Sequence, residues 1–177
     1  MKKVLLAVTA SIAGYKACDL IRLLRDKDYD VKCLMSKAAR WFITEMTLET
    51  LSGNKVVCDI FSPPATKIPE HISLAEERDI ILVAPATADI LAKTACGICD
   101  DIVTCTICAF DKPVIFAPAM NDKMYRNPIV RRNIEKLKSN GYHFVGPVNG
   151  HLACDSYGEG HIAPPEEIIS FIEDLCK

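Results

Sequence analysis

Three short stretches of this 177-residue chain place small and hydroxylated residues where an apolar run gives way to a helical pattern. They are Thr9-Ala10-Ser11-Ile12-Ala13, Ser36-Lys37-Ala38 and Pro85-Ala86-Thr87-Ala88-Asp89. A turn of this kind offers a phosphate backbone N–H groups, a hydroxyl and the positive end of a helix. Taken singly, each reads more readily as a helix N-cap. Three in succession favour a mononucleotide. Neither a G-x-G-x-x-G run nor a Walker lysine motif is present, so the sequence carries no dinucleotide fingerprint and no P-loop.

Three other places could carry acid–base or orienting chemistry. His71 follows Pro69-Glu70 in the first turn of an expected helix. A helix N-terminus disfavours imidazolium, so a neutral imidazole there can act as a base or bind a carboxylate; a surface histidine is the plainer reading. Asn121 ends Ala117-Pro118-Ala119-Met120-Asn121, behind Pro113 and Pro118. It can orient an amide or carboxylate, or cap the Asp122–Tyr125 turn. Cys154 lies in His151-Leu152-Ala153-Cys154-Asp155, just before Gly158-Glu159-Gly160. Loops rich in small residues often serve as lids, and this cysteine is unlike the others.

The chain has nine cysteines, an odd number. Most sit among apolar residues, as Cys33 does, and behave as small buried hydrophobes in a reducing compartment, hence the cytoplasm. Cys96, Cys99, Cys105 and Cys108 form CxxC-x5-CxxC. The spacer is short for a zinc ribbon. Leu91–Ala109 also reads as one helix with cysteines at i, i+3, so packing rather than metal binding is expected.

The elements that must position these residues follow from apolar periodicity. Lys3–Thr9, Asp30–Met35, Asp79–Ala84, Pro113–Ala117 and Tyr142–Val145 read as strands. Helical spacing recurs in Ala13–Leu24, Ala38–Leu51, Pro69–Glu77, Pro85–Ala95, Pro128–Ser139 and Pro164–Cys176. Ser62–Pro69 reads as a Pro-rich surface loop, and Pro147–Ala163 as a long Gly-rich mixed segment. Strands alternating with helices predict an α/β fold with a doubly wound, mostly parallel sheet in a single domain, 1–177. Ligands of such sheets bind outside the C-terminal strand ends, where the residues above fall.

Charge is balanced, with 21 Lys and Arg against 23 Asp and Glu. That argues against a nucleic-acid or polybasic membrane partner. No apolar run approaches the roughly 18 residues of a membrane span, and Met1–Val8 reads as a first buried strand rather than a signal sequence. Arg40-Trp41-Phe42 serves either an oligomer contact or the core.

Val4–Ala13, Pro69–Leu74, Ala84–Asp89, Gly97–Val103 and Ala117–Tyr125 occur in an order that resembles the flavin-containing cysteine decarboxylase family. The resemblance runs from about Val4 to Pro164. It implies a Rossmann-like, flavodoxin-type three-layer sandwich that binds FMN. The FMN contacts it implies are Ala10, Ser11, Ile12, Ser36, Ala38, Thr87, Ala88, Asp89, Ile90 and Ala119. His71 takes the place of the family's catalytic histidine, Asn121 of its substrate-orienting asparagine and Cys154 of its lid cysteine. His151, Ala153 and Ile162 fall beside the substrate, and no metal is implied. Tyr125 stands where the family often has Trp.

Within the family the resemblance is strongest to members that decarboxylate 4′-phosphopantothenoylcysteine in coenzyme A biosynthesis. There the substrate's cysteinyl side chain is oxidised to a thioaldehyde, CO₂ leaves, and the enethiol is reduced again. Cys154 favours this branch over peptidyl-cysteine decarboxylases, which stop at the enethiol. A flavin prenyltransferase and a non-catalytic flavin-binding regulator are the alternatives. The resemblance further implies a homo-oligomer, a trimer or a dodecamer of trimers, with His71 acting on a neighbour's flavin. The length leaves no room for the synthetase fused to many relatives, so the phosphopantothenate–cysteine ligase is expected as a separate protein.

Overall fold

The computed structural model describes residues 2–60, 68–151 and 157–175. Its centre is a sheet of strands β1 (Lys3–Val8), β2 (Asp30–Met35), β3 (Ile80–Ala86), β4 (Val114–Pro118) and β5 (His143–Phe144). The order is β2-β1-β3-β4-β5, and every pairing is parallel. Val4 to Val8 are wholly buried. A strand covered on both faces reads as a continuous apolar run rather than an alternating one, which is how β1 and β3 read.

The helices are α1 (Lys16–Asp26), α2 (Glu45–Ser52), α3 (Glu70–Glu77), α4 (Ala88–Cys96), α5 (Ile102–Cys108), α6 (Asp122–Arg126), α7 (Pro128–Ser139) and α8 (Pro165–Leu175). The two-residue period of the strands divides the core in two. Val4, Leu6 and Val8 pack with Leu20 and Ile21 of α1, Leu48 of α2 and Ile168 of α8. Leu5 and Ala7 pack on the other face with Leu74 of α3, Leu91 of α4, Val103 of α5 and Ile134 of α7. The expected three-layer, doubly wound architecture is the one observed. The order reverses between β1 and β3, creating a crevice at their C-terminal ends.

Three local expectations need correction. Leu91–Ala109 is not one helix. Gly97, at φ +68°, ends α4 in the left-handed region that favours glycine. Asp101 then starts α5 with a capping box, its side chain accepting from Thr104 N at 2.8 Å. The break leaves Cys96, Cys99 and Cys108 exposed rather than packed. Ala38–Leu51 splits into a 3₁₀ turn (Lys37–Trp41) and α2, because Thr44 caps a new helix by accepting from Thr47 N. Pro147–Ala163 contains an antiparallel hairpin of β6 (Val148–His151) and β7 (Tyr157–His161). Most of the expected Ser62–Pro69 loop lies outside the described residues. No helix among the described residues is long and apolar enough to cross a membrane.

Candidate active site

The turns after β1 and β3 are tied together by one buried hydroxyl. Thr9 Oγ1 donates to Pro85 O at 2.6 Å and accepts from Thr87 N at 3.3 Å. Ser11 then caps a 3₁₀ turn by accepting from Ala13 N at 3.2 Å. Thr87 caps α4 by accepting from Ile90 N at 3.4 Å. Ser36 takes the same position before the turn that follows β2, yet its hydroxyl makes no cap bond. That oxygen is buried and has no hydrogen-bond partner among the described residues. An unsatisfied buried hydroxyl costs roughly 1–3 kcal/mol, so it points to a polar group of a ligand.

These turns enclose a cavity of about 600 Å³, within the size range of small-molecule sites. Ala10 and Ser11 approach it from β1, Ser36 and Ala38 from β2, and Ala119 from β4. Thr87, Ala88, Asp89 and Ile90 complete it from β3. Ile102, Met120 and Met124 add apolar surface. Lys93 stands between Asp89, at 3.4 Å, and Asp100, at 3.0 Å. The bond from Asp100, together with the charge of both carboxylates, outweighs burial and raises the Lys93 ammonium above its ordinary value. An orphaned hydroxyl, three turns presenting backbone N–H groups, and an apolar wall for a flat ring fit the FMN that the resemblance implies.

A second cavity, of about 570 Å³, adjoins the first and shares Ser11, Ala119 and Met120 with it. Asn121, His151 and Ile162 line it, as does Ile12, which was expected among the flavin contacts. Asn121 also caps α6, its side-chain oxygen accepting from Lys123 N at 2.9 Å. β7 lies directly against the Asn121 loop: Met120 N donates to Gly160 O at 3.0 Å. A Cβ at position 160 would collide with the Met120 carbonyl, so only glycine permits this approach. The His151 ring meets Tyr157 edge-on, with centroids 5.3 Å apart. His161 Nδ1 is 2.8 Å from the Ile162 carbonyl, which can only accept, so that nitrogen carries the proton.

His71 is placed apart from both cavities. It lies half-buried in the first turn of α3, and neither described lining includes it. Its Nδ1 is buried without a partner among the described residues. Ala153 and Cys154 lie outside the described residues. Sequence reasoning missed Lys93, Asp100 and Asp101 in the first cavity and Tyr15 and His161 in the second. The readable signal for the acidic pair was Gly97 followed by Asp101-x-x-Thr104, a stop and a start inside one apparent helix.

A family model described as Flavoprotein matches residues 1–177. The chain is 45% identical over 175 residues to a protein of Streptococcus mutans named probable phosphopantothenoylcysteine decarboxylase, covering 98% of each. It is 40% identical over 176 residues to the coenzyme A biosynthesis bifunctional protein CoaBC of Vibrio vulnificus, and spans 44% of that relative's length. Among solved structures, it resembles a mutant PPC decarboxylase complexed with pantothenoylaminoethenethiol (TM-score 0.91, 30% identity, 99% of this chain and 98% of that one). It also resembles the FMN binding protein AtHal3 (TM-score 0.86, 30% identity, 98% and 96%).

Proposed function

The chain belongs to the flavoprotein family, and on that premise we propose that it is an FMN-dependent decarboxylase of 4′-phosphopantothenoylcysteine, yielding 4′-phosphopantetheine for coenzyme A biosynthesis. The observation that carries the reading is the pair of adjoining cavities at the β1/β3 switch point. One gathers every expected flavin contact except Ile12, and the other gathers Asn121, His151 and Ile162 around the shared Ser11, Ala119 and Met120. A cofactor in the first cavity thereby abuts a substrate in the second.

When bound, FMN supplies a reversible two-electron oxidation at the substrate's cysteinyl side chain, which makes its carboxylate easy to lose as CO₂. The protein's part is positioning and proton transfer. The turns after β1, β2 and β3 hold the phosphate and ribityl groups through backbone N–H groups and the Ser36 hydroxyl. Asn121, fixed at the start of α6, orients the carboxylate or neighbouring amide of the substrate. His151 and Ile162 flank it, and the sequence resemblance adds Ala153. His71 serves as base, and Cys154 returns a proton to the enethiol carbon; both roles rest on the sequence resemblance.

The position of His71, outside both cavity linings, supports a homo-oligomer, a trimer or a dodecamer of trimers, in which this histidine works at a neighbour's site. Ile12 and Tyr15 are more than half exposed, Trp41 is 89% exposed and Met46 75% exposed. Exposed apolar side chains of this kind are what an interaction face needs, and Trp41 belongs with them rather than with the core. Light scattering is expected to give about three or about twelve times the chain mass. A fully active monomer overturns the arrangement. A cytoplasmic location is our reading, since buried free thiols such as Cys33 and Cys58 stay reduced there. A phosphopantothenate–cysteine ligase, as pathway partner, supplies the substrate.

The decisive experiment is an absorption spectrum of the purified protein, followed by addition of phosphopantothenoylcysteine and mass analysis of the products. A flavin spectrum and a product lighter by one CO₂ are expected. A protein that stays colourless even after incubation with FMN defeats the proposal.

A further inference from the structure

The first cavity has a charge imbalance that the proposed function leaves unaddressed. Among the described residues, Asp59, Asp89, Asp100 and Asp101 line it, against Lys37 and Lys93. Acids thus outnumber bases in a site read as taking the phosphate of FMN, itself an anion. Asp89 makes the conflict local. It sits in the first turn of α4, where its carboxylate competes with a phosphate for the positive end of the helix.

Lys93 relieves both conflicts. It follows Asp89 by one turn on the same face of α4, and its Nζ is 3.4 Å from Asp89 Oδ2. The same ammonium is 3.0 Å from Asp100 Oδ2, in the break between α4 and α5. Two carboxylates from separate segments therefore converge on one cation, whereas Lys37 is exposed. The backbone fixes the arrangement. Gly97 ends α4 in the left-handed region, and the Asp101 cap restarts the chain as α5, so Asp100 lies beside Lys93 instead of further along one helix. The Asp89 side chain is 72% exposed and that of Asp100 52%. Pairs this exposed add little to stability, so tying α4 to the break is a weak account of the cluster.

We propose that Lys93 is a positioning residue for the cofactor, its ammonium neutralising Asp89 and Asp100 so that the first cavity accepts a phosphate-bearing flavin. This rests on the FMN reading above and deepens it, naming a group through which the cavity favours FMN over riboflavin, which lacks the phosphate. Contact with the phosphate is not required. A charge acts across a cavity of this size, and without Lys93 both carboxylates would face the anion uncompensated.

The test measures FMN and riboflavin dissociation constants by fluorescence titration of the full-length chain after its flavin has been removed. Lys93→Gln removes the charge but keeps a donor for Asp100. It should weaken FMN binding about tenfold at low salt, the order expected for one charge acting across roughly 10 Å at an effective dielectric near 20. Riboflavin binding should change little, and the FMN loss should shrink at high salt. Lys93→Arg should bind both flavins as the unsubstituted protein does. Adding Asp100→Asn to Lys93→Gln removes one stranded carboxylate without touching an expected flavin contact, and should recover part of the lost FMN affinity. Equal losses for both flavins, unchanged FMN affinity in Lys93→Gln, or no recovery in the double variant overturns the proposal. Where Lys93→Gln folds poorly, Asp100→Asn alone decides: FMN binding should tighten and riboflavin binding should not, and an unchanged or weaker FMN constant overturns the proposal. Unsubstituted protein that binds neither flavin defeats the FMN reading and this inference with it. Protein that binds FMN but fails the Lys93 comparisons leaves that reading standing and overturns this inference alone.

Discussion

Ser36 and Thr9 show at the residue scale how one functional group can serve structure in one turn and await a ligand in the next. The Thr9 hydroxyl is consumed in joining two strand tips, whereas the Ser36 hydroxyl is buried with no partner among the described residues. Ser36→Ala should therefore leave the apoprotein as stable as before, or slightly more so. It should weaken flavin binding about five- to tenfold, as loss of one hydrogen bond of about 1 kcal/mol implies. Fluorescence titration with FMN, paired with urea unfolding of the apoprotein, checks both halves. His71 makes a different prediction because it stands outside the flavin cavity. His71→Asn should lower decarboxylation by roughly 10²–10⁴-fold, the usual range for a general base, while the protein stays yellow. If colour is lost with activity, the histidine is structural. Cys154→Ser should still release CO₂ but accumulate the enethiol, which mass spectrometry of the quenched reaction detects.

Helix starts are the elements that shape the flavin cavity. Thr87 both caps α4 and bonds to Thr9, so its side chain fixes the direction in which α4 leaves β3. Thr87→Ala should cost about 1 kcal/mol, the usual loss for a removed cap, read as a lower urea midpoint. Flavin affinity should fall along with it, since Asp89 and Ile90 ride on the first turn of that helix. A second tie acts at the opposite end of the sheet. Asp30, at the start of β2, accepts from Arg78 at 2.7 Å and from Asn54 at 3.0 Å. Burial pushes its carboxyl up, but the Arg78 bond and charge, with help from Asn54, hold it below the usual carboxylate value. A lowered folded-state pKa gives stability that is present above the ordinary carboxylate range and lost as pH falls through the folded value. Asp30→Asn should cost about 1–2 kcal/mol at pH 7, as for a hydrogen bond to a charged group that is partly solvent-screened. The gap to the unsubstituted protein should close as pH falls below the ordinary carboxylate range and through the lowered folded-state value. An unchanged gap at low pH removes Asp30 from the account.

At the scale of the whole molecule, the switch between β1 and β3 places one crevice where three hydroxyl-bearing turns converge. The hairpin of β6 and β7 adds a neighbouring cavity by closing on the Asn121 loop. The sequence by itself determined the layers. Continuous apolar runs such as Val4–Val8 require cover on both faces, and helical stripes such as Ile134 and Leu137 supply it. It also marked the turns, because small and hydroxylated residues at strand tips announce caps and N–H-rich corners from local chemistry alone. Local chemistry is blind to distance across the fold. Only tertiary structure brought Asp100 and Lys93 together, set Gly160 against the Met120 carbonyl, left Ser36 without a partner among the described residues and held His71 away from both cavities. Each of those outcomes depends on contacts between segments far apart in the chain. The exposed cysteines mark the boundary between the two kinds of information. Their spacing was plain in the sequence, but a glycine in the left-handed region and a capping aspartate turned an apparent packing face into a break that faces solvent.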